Sequence, residues 1–190
     1  MRKTRKAAAV LTAVAMAAVS AAPVMADEIK DLYDYELQTR EIETWNILQS
    51  QQSTDMNVLT NLYDGLVEAD EYGKVVPAIA ESWETEDNGI TWTFHLREGV
   101  KWVDQNGNEK GEVTARDFLT GLEWILNFHK NDAANTSMPM EMIVGAEDYY
   151  NMTSELDADA GFALTAESPE FADTVGIKAI DDYTLQYTCV

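Results

Sequence analysis

The stretch "ITWTFHLREGVKW" at 90–102 constrains the fold more than any other part of this chain. Ile90, Trp92, Phe94 and Leu96 alternate with Thr91, Thr93, His95 and Arg97, the period-2 pattern of a strand with one apolar and one polar face. An Asn88-Gly89 pair, which tolerates positive φ, stands before it, and an apolar run from Ala78 to Trp83 stands before that. The spacing predicts a β-hairpin. Removing each of the four apolar side chains from water contributes about 1.5–3 kcal/mol, so all four are expected in a core. His95 falls on the polar face with no second ligand at metal spacing, and a structural or solvated role outweighs a catalytic one.

Helical signals flank the hairpin. Ser53 or Thr54 is expected to cap a short helix that carries Asp55 in its first turn and Val58, Leu59, Leu62 and Leu66 on one face, with Gly65 near its end. Asp70, Glu71 and Gly73 predict a turn leading to Pro77. Thr114 and Asp117 form a capping signature ahead of Phe118, Leu122, Ile125 and Leu126, with Trp124 and Phe128 nearby. That aromatic-rich helix is read as packing on the hairpin in preference to lining a ligand groove. A second helix is expected over Met140–Tyr150 with Gly145 inside it, and the acidic stretch 154–173 is expected to be a solvated loop. Near the end, Val175, Ile177 and Ala179, an Asp181-Asp182 turn, and Tyr183, Leu185 and Tyr187 predict two strands. The second reaches Val190 and is expected to lack a partner, which would leave the chain prone to self-association. A weaker strand is expected at Tyr35–Leu37.

Composition narrows the function. Arg2, Lys3, Arg5 and Lys6 precede an Ala/Val/Leu/Met run through Ala22, the layout of an export signal cleaved after Ala26. Cleavage there removes four of the 13 basic residues and none of the 34 acidic ones, which leaves a formal charge of −25 on residues 27–190. Such a surface repels phosphate backbones and anionic lipid, and nucleic acid is excluded as a partner. Cys189 is the one cysteine, so no intramolecular disulfide, Cys-x-x-Cys site or lipid-bearing cysteine at the cleavage point is expected. "DQNGNEKGE" and "DADAGFALTAE" resemble calcium loops only superficially, because Glu109 and Phe162 stand where the loop glycine is required. No nucleophile–base pair, zinc motif or phosphate loop occurs, so no enzyme, metal or cofactor is expected. The residues alone describe an exported, acidic α/β chain.

Six blocks in order go further: "LYDGLVEAD", "VPAIAESWE", "TWTFHLREGVKW", "VTARDF", "IVGAEDYY" and "VGIKAIDDYTLQYT". Together they resemble the extracellular solute-binding proteins of oligopeptide and dipeptide ABC importers. The resemblance implies a mixed α/β, α+β fold: a periplasmic-binding-protein-like lobe with an inserted subdomain, truncated before a second lobe. Residues 27–190 would then be the N-terminal portion of such a protein. It also implies a peptide as ligand, a membrane permease as partner, and a location in the periplasm or on the outer face of the cell envelope without a lipid anchor. The family's peptide-facing loop corresponds to Gln51, Gln52, Ser53 and Thr54, although Asn46-Ile47 stands where the family often has Asp-Pro. A structural or adhesive domain that shares the lobe, and a binder of another solute such as a sugar or nickel, are the competing readings.

Overall fold

The computed structural model describes residues 41–130 and 136–190, all within the unit Gln38–Val190. The export segment and the strand expected at Tyr35–Leu37 lie outside the described residues.

Short segments open the described chain: helix α1 (Ser53–Leu59), then β1 (Val67–Ala69) and β2 (Val75–Pro77), which pair antiparallel. Asp70 closes their turn, its Oδ1 accepting from the Tyr72 and Lys74 amides at 2.9 Å each. The predicted hairpin follows as β3 (Ala80–Glu86) and β4 (Thr91–Leu96). Its turn holds three successive positive-φ residues, Asp87, Asn88 and Gly89, as the Asn-Gly signal anticipates. A smaller hairpin, β5 (Lys101–Val103) with β6 (Glu109–Glu112), comes next. The polar segment 104–112 is therefore a tight turn and a return strand.

Helix α2 (Ala115–Leu126) begins where its capping box predicts, with the Thr114 amide donating to Asp117 Oδ2 at 2.7 Å. The next expected helix is divided into α3 (Ser137–Met142) and α4 (Ala146–Ser154). Gly145, at φ 71°, makes the break, and a Cβ there would lie 2.0 Å from the Thr174 carbonyl oxygen. The stretch expected to be a solvated loop instead forms α5 (Ala158–Ala163) and α6 (Pro169–Ala172). Single apolar residues anchor it: Phe171 is wholly buried, and Ala166 and Val175 are nearly so. Amphipathic periodicity cannot register helices of four to six residues, which is why the sequence pattern misses them.

Strands β7 (Ile177–Asp181) and β8 (Thr184–Thr188) complete a four-stranded antiparallel sheet of order β3-β4-β8-β7. The last strand is thus central, with β4 on one side and β7 on the other, and the expectation of an unpaired terminal strand is corrected. The chain end is tied down as well, the Cys189 amide donating to Ile90 O at 2.7 Å and the Val190 amide to Met142 O at 3.1 Å.

The register aligns Trp83, Phe94, Leu185 and Ala179 across the sheet, and Trp92, Tyr187 and Ile177 beside them. Leu96, Leu185 and Ile177 are buried, and Phe94 and Tyr187 pack against the core edge-on with ring centroids 6.1 Å apart. The core expectation holds in full for Leu96 and in part for Phe94. Ile90 lies outside the strand and is exposed, while Trp92 is half-buried, with its indole N–H donating to Gly89 O at 2.8 Å. On the opposite face His95 Nε2 meets the Glu84 carboxylate at 3.0 Å in solvent, as a structural histidine would.

Helix α2 packs over β7, placing Leu122 and Leu126 in the same core as Ile177, Tyr149 and Phe171. Where α2 ends, a buried polar knot secures the α5–α6 arm. Glu123 accepts from Tyr149 Oη at 2.9 Å, from Asn127 Nδ2 at 2.8 Å and from Lys130 Nζ at 2.7 Å. Asn127 Nδ2 also donates to Gly161 O at 2.8 Å, Lys130 Nζ to Leu164 O, and His129 Nε2 to Leu156 O at 3.0 Å. Burial, and then the bond to Glu123, push the Tyr149 hydroxyl far above its usual range.

Candidate functional site

Gln51, Gln52, Ser53 and Thr54 sit at the start of α1. The helix cap is Gln52, in extended conformation, not Ser53 or Thr54, and the Met56 amide donates to its carbonyl at 3.0 Å. Beneath the loop Asp55 is buried, accepting from Ser50 Oγ at 3.0 Å and from the Glu43 amide at 3.2 Å, while Ser50 Oγ accepts from the Gln52 amide at 3.3 Å. This arrangement fixes the backbone of the loop and leaves Gln51 and Ser53 exposed, Gln52 and Thr54 half-buried. The helix is shorter than the sequence pattern implies, ending at Leu59, so Leu62 lies beyond it and is exposed.

A large concave feature lies elsewhere. A groove of about 850 Å3 runs between the segments flanking α1, the β5–β6 hairpin and one side of α2. Trp45, Leu48, Leu62 and Tyr63 form one wall, Trp102 and Val103 another, and Phe118, Leu122 and Ile125 a third, with Ile79, Val113 and Tyr187 also lining it. None of the four loop residues lines it. The helix α2, expected to pack on the hairpin, packs chiefly over β7, and its Phe118, Leu122 and Ile125 also line the groove. Trp45, Tyr63 and Trp102 are not among the residues that the sequence singles out for a site. Trp102 carried a signal, as a large aromatic on a short strand flanked by charged residues.

Several polar groups near the groove are engaged with one another. Glu112 accepts from Lys101 Nζ at 2.8 Å and from Tyr183 Oη, and these bonds draw its carboxyl down to about 2. The same bond pushes the Tyr183 hydroxyl up to about 12. Asp104 is held well below the usual carboxylate range, first by the Asn108 side chain and then by Lys110. Among the described residues no group of three or more His, Cys, Asp or Glu side chains is placed to hold a metal ion.

Residues 74–189, more than half the chain, match the family model described as bacterial extracellular solute-binding proteins, family 5 Middle. The chain belongs to that family. Among its family 5 relatives, the oligopeptide-binding protein AmiA of Streptococcus pneumoniae is 37% identical over 180 residues, which is 94% of this chain and 24% of AmiA. The oligopeptide-binding protein AliB of the same species is 35% identical over 145 residues, 76% of this chain and 20% of AliB. The crystal structure of Haemophilus influenzae OppA in complex with RPPGFSPFR superposes with a TM-score of 0.58 at 28% identity, covering 78% of this chain and 25% of that one. The family 5 assignment and this superposition bear out the solute-binding fold expected from the six blocks. The chain spans about a quarter of the length of AmiA.

Proposed function

We propose that this chain supplies the N-terminal portion, residues 27–190, of the substrate-binding component of a peptide ABC importer, exported by residues 1–26 and delivering oligopeptides or dipeptides to a membrane permease. The observation that carries the reading is its identity to AmiA, named an oligopeptide-binding protein, along nearly its whole length. In the proposed mechanism a peptide is captured by closure of two lobes, a population shift driven by contacts with both, and no bond is made or broken. Gln51, Gln52, Ser53 and Thr54 would lie along the peptide backbone. Their amides and hydroxyls pair with N–H and C=O groups without reading side chains, which suits a sequence-tolerant receptor. The buried Ser50–Asp55 pair supports this role, because it fixes the loop before any ligand arrives.

One side of a cleft lacks the enclosure that strengthens each hydrogen bond by excluding water, so residues 27–190 alone should bind peptide weakly. Grafting this chain in place of the matched 180 residues of AmiA restores the remaining length. Calorimetry with RPPGFSPFR should then show saturable binding, weakened several-fold by joint Gln51→Ala and Ser53→Ala changes. A folded graft that binds no peptide contradicts the reading. The exported product should begin with unmodified Asp27, and a lipidated or uncleaved N-terminus in its mass spectrum refutes that part.

A further inference from the structure

We infer that Asn88, in the turn of the β3–β4 hairpin, is a site of spontaneous deamidation and isoaspartate formation, and that the chemically identical pair Asn106-Gly107 is protected from the same reaction by the Asp104 carboxylate.

The chain has two Asn-Gly pairs, Asn88-Gly89 and Asn106-Gly107, and both lie in hairpin turns. In such a pair the glycine nitrogen attacks Cγ of the asparagine side chain. The N–Cγ bond forms, the Cγ–NH2 bond breaks, and the glycine N–H proton leaves with that NH2 as ammonia, which closes a succinimide ring. Water then opens the ring at either carbonyl. Addition at Cγ leaves aspartate, and addition at the main-chain carbonyl leaves isoaspartate, whose main chain passes through Cβ and Cγ. No oxidant or reductant takes part. Glycine permits the attack because it has no Cβ to block the approach. Asn57-Val58 and Asn61-Leu62 carry the same amide ahead of a bulky side chain, which closes that route. At Asn88 isoaspartate lengthens the loop between Glu86 and Thr91, the pair that closes the hairpin, and either product adds a carboxylate beside Glu86 and Asp87.

Both asparagine side chains are exposed and without a hydrogen-bond partner among the described residues, so access to water does not separate the two sites. The hold on each turn does. Each glycine nitrogen is a turn donor, Gly89 to Glu86 O at 3.1 Å and Gly107 to Asp104 O at 2.9 Å, and the turn must open before that nitrogen reaches Cγ. Beside Asn88, the Trp92 indole N–H donates to Gly89 O at 2.8 Å, which holds the far side of the glycine and not its nitrogen. Asp87 and Asn88 sit at φ 52° and 60°, the left-handed region disfavoured for residues with a Cβ, so leaving the turn relieves them. Around Asn106 a carboxylate clamps the whole turn. Asp104 Oδ1 accepts from the Asn106 amide at 2.9 Å and the Asn108 amide at 3.0 Å, the Asn108 side chain donates to both Asp104 oxygens, and Lys110 Nζ pairs with Oδ2 at 2.9 Å. Opening this turn breaks bonds to an ionised acceptor, which are stronger than those between neutral groups.

Peptide mapping by mass spectrometry of the intact chain, held in warm, mildly alkaline buffer and sampled over time, reads both sites. The peptide that carries Asn88 should acquire the mass gain of NH2 replaced by OH, with isoaspartate among its products. The peptide that carries Asn106 should lag by about tenfold or more, the factor that one charge-assisted hydrogen bond supplies. In denaturant the turns are gone and the two rates should converge. Asp104→Ala should raise the Asn106 rate of the folded chain towards that of Asn88 and leave Asn88, in a separate hairpin, unmoved. A variant that unfolds reveals itself because Asn88 then reacts at its rate in denaturant, and the comparison within the folded parent decides by itself. Equal rates in the folded parent, a faster Asn106, or an Asn88 that reacts only in denaturant overturns the inference. An Asn106 rate unmoved by Asp104→Ala overturns it as well.

Discussion

The two sides of this molecule are built to different standards. Around β7, β8, α2 and the α5–α6 arm, apolar groups are buried and polar groups are paired, including Glu123, Lys130 and Asn127 inside the core. Around the groove, the segments flanking α1 and the β5–β6 hairpin keep Trp45, Leu62, Tyr63, Trp102 and Val103 in solvent. The difference teaches that a well-packed core and a broad apolar surface left in solvent can occupy separate sides of one chain. Packed core and exposed apolar surface are segregated in space, so substitutions on the two sides should differ sharply in cost.

The largest effect should come from the packed side. Phe171 is wholly buried and stacks edge-on with Tyr149 at 5.1 Å, so Phe171→Ala should cost about 3–5 kcal/mol in denaturant unfolding. A loss below about 1 kcal/mol would mean that the α5–α6 arm is not part of the core.

Next is the polar knot. Lys130→Met leaves Glu123 buried without its cation and should cost about 3 kcal/mol, whereas the double change Lys130→Met with Glu123→Leu should recover much of that loss. Equal losses in the single and double variants would show that the ion pair is not what secures the arm to α2.

A smaller, pH-dependent effect belongs to the groove side. The Glu112 carboxyl is drawn below its ordinary value, so its contribution is fully present above about pH 4.3 and is lost as pH falls towards 2. Glu112→Gln should therefore narrow the difference in melting temperature between pH 5 and pH 2.5 relative to the parent chain. An unchanged pH profile would remove Glu112 from the hairpin's electrostatics. The smallest effects should be at His95→Ala and Val103→Ser, each within about 0.5 kcal/mol of the parent. Their solvent exposure sets that expectation: a thermal shift comparable to that of Phe171→Ala at either position would erase the contrast between the two sides.

Local chemistry made part of this fold legible. Asn88-Gly89 and the alternation around Trp92 specify the β3–β4 hairpin, and Thr114 with Asp117 specifies the start of α2, because each signal acts within a few residues. The partner of β4 was not legible: Phe94 pairs with Leu185 across 91 positions, and nothing local to either strand encodes that choice. For the same reason the alternation in β8 predicts a strand without revealing that its place is central. The α5–α6 arm was hidden because its anchors, Phe171, Ala166 and the Gly161 carbonyl, are single groups whose partners lie far along the chain. The loop Gln51–Thr54 was singled out through family likeness, and the groove stayed invisible because its walls are drawn from Trp45 through Tyr187.

Native-state hydrogen exchange on the intact chain measures both sides at once. Two-sided pairing of β8 and burial of α2 predict that amides of Thr184–Thr188 and Leu122–Leu126 exchange only through global unfolding. Amides of 60–63 and of the β5–β6 hairpin should open at far lower free energy, because these residues are largely exposed and little apolar packing covers them. Uniform protection across both regions, or early exchange of β8, would contradict the division into a packed core and an exposed groove.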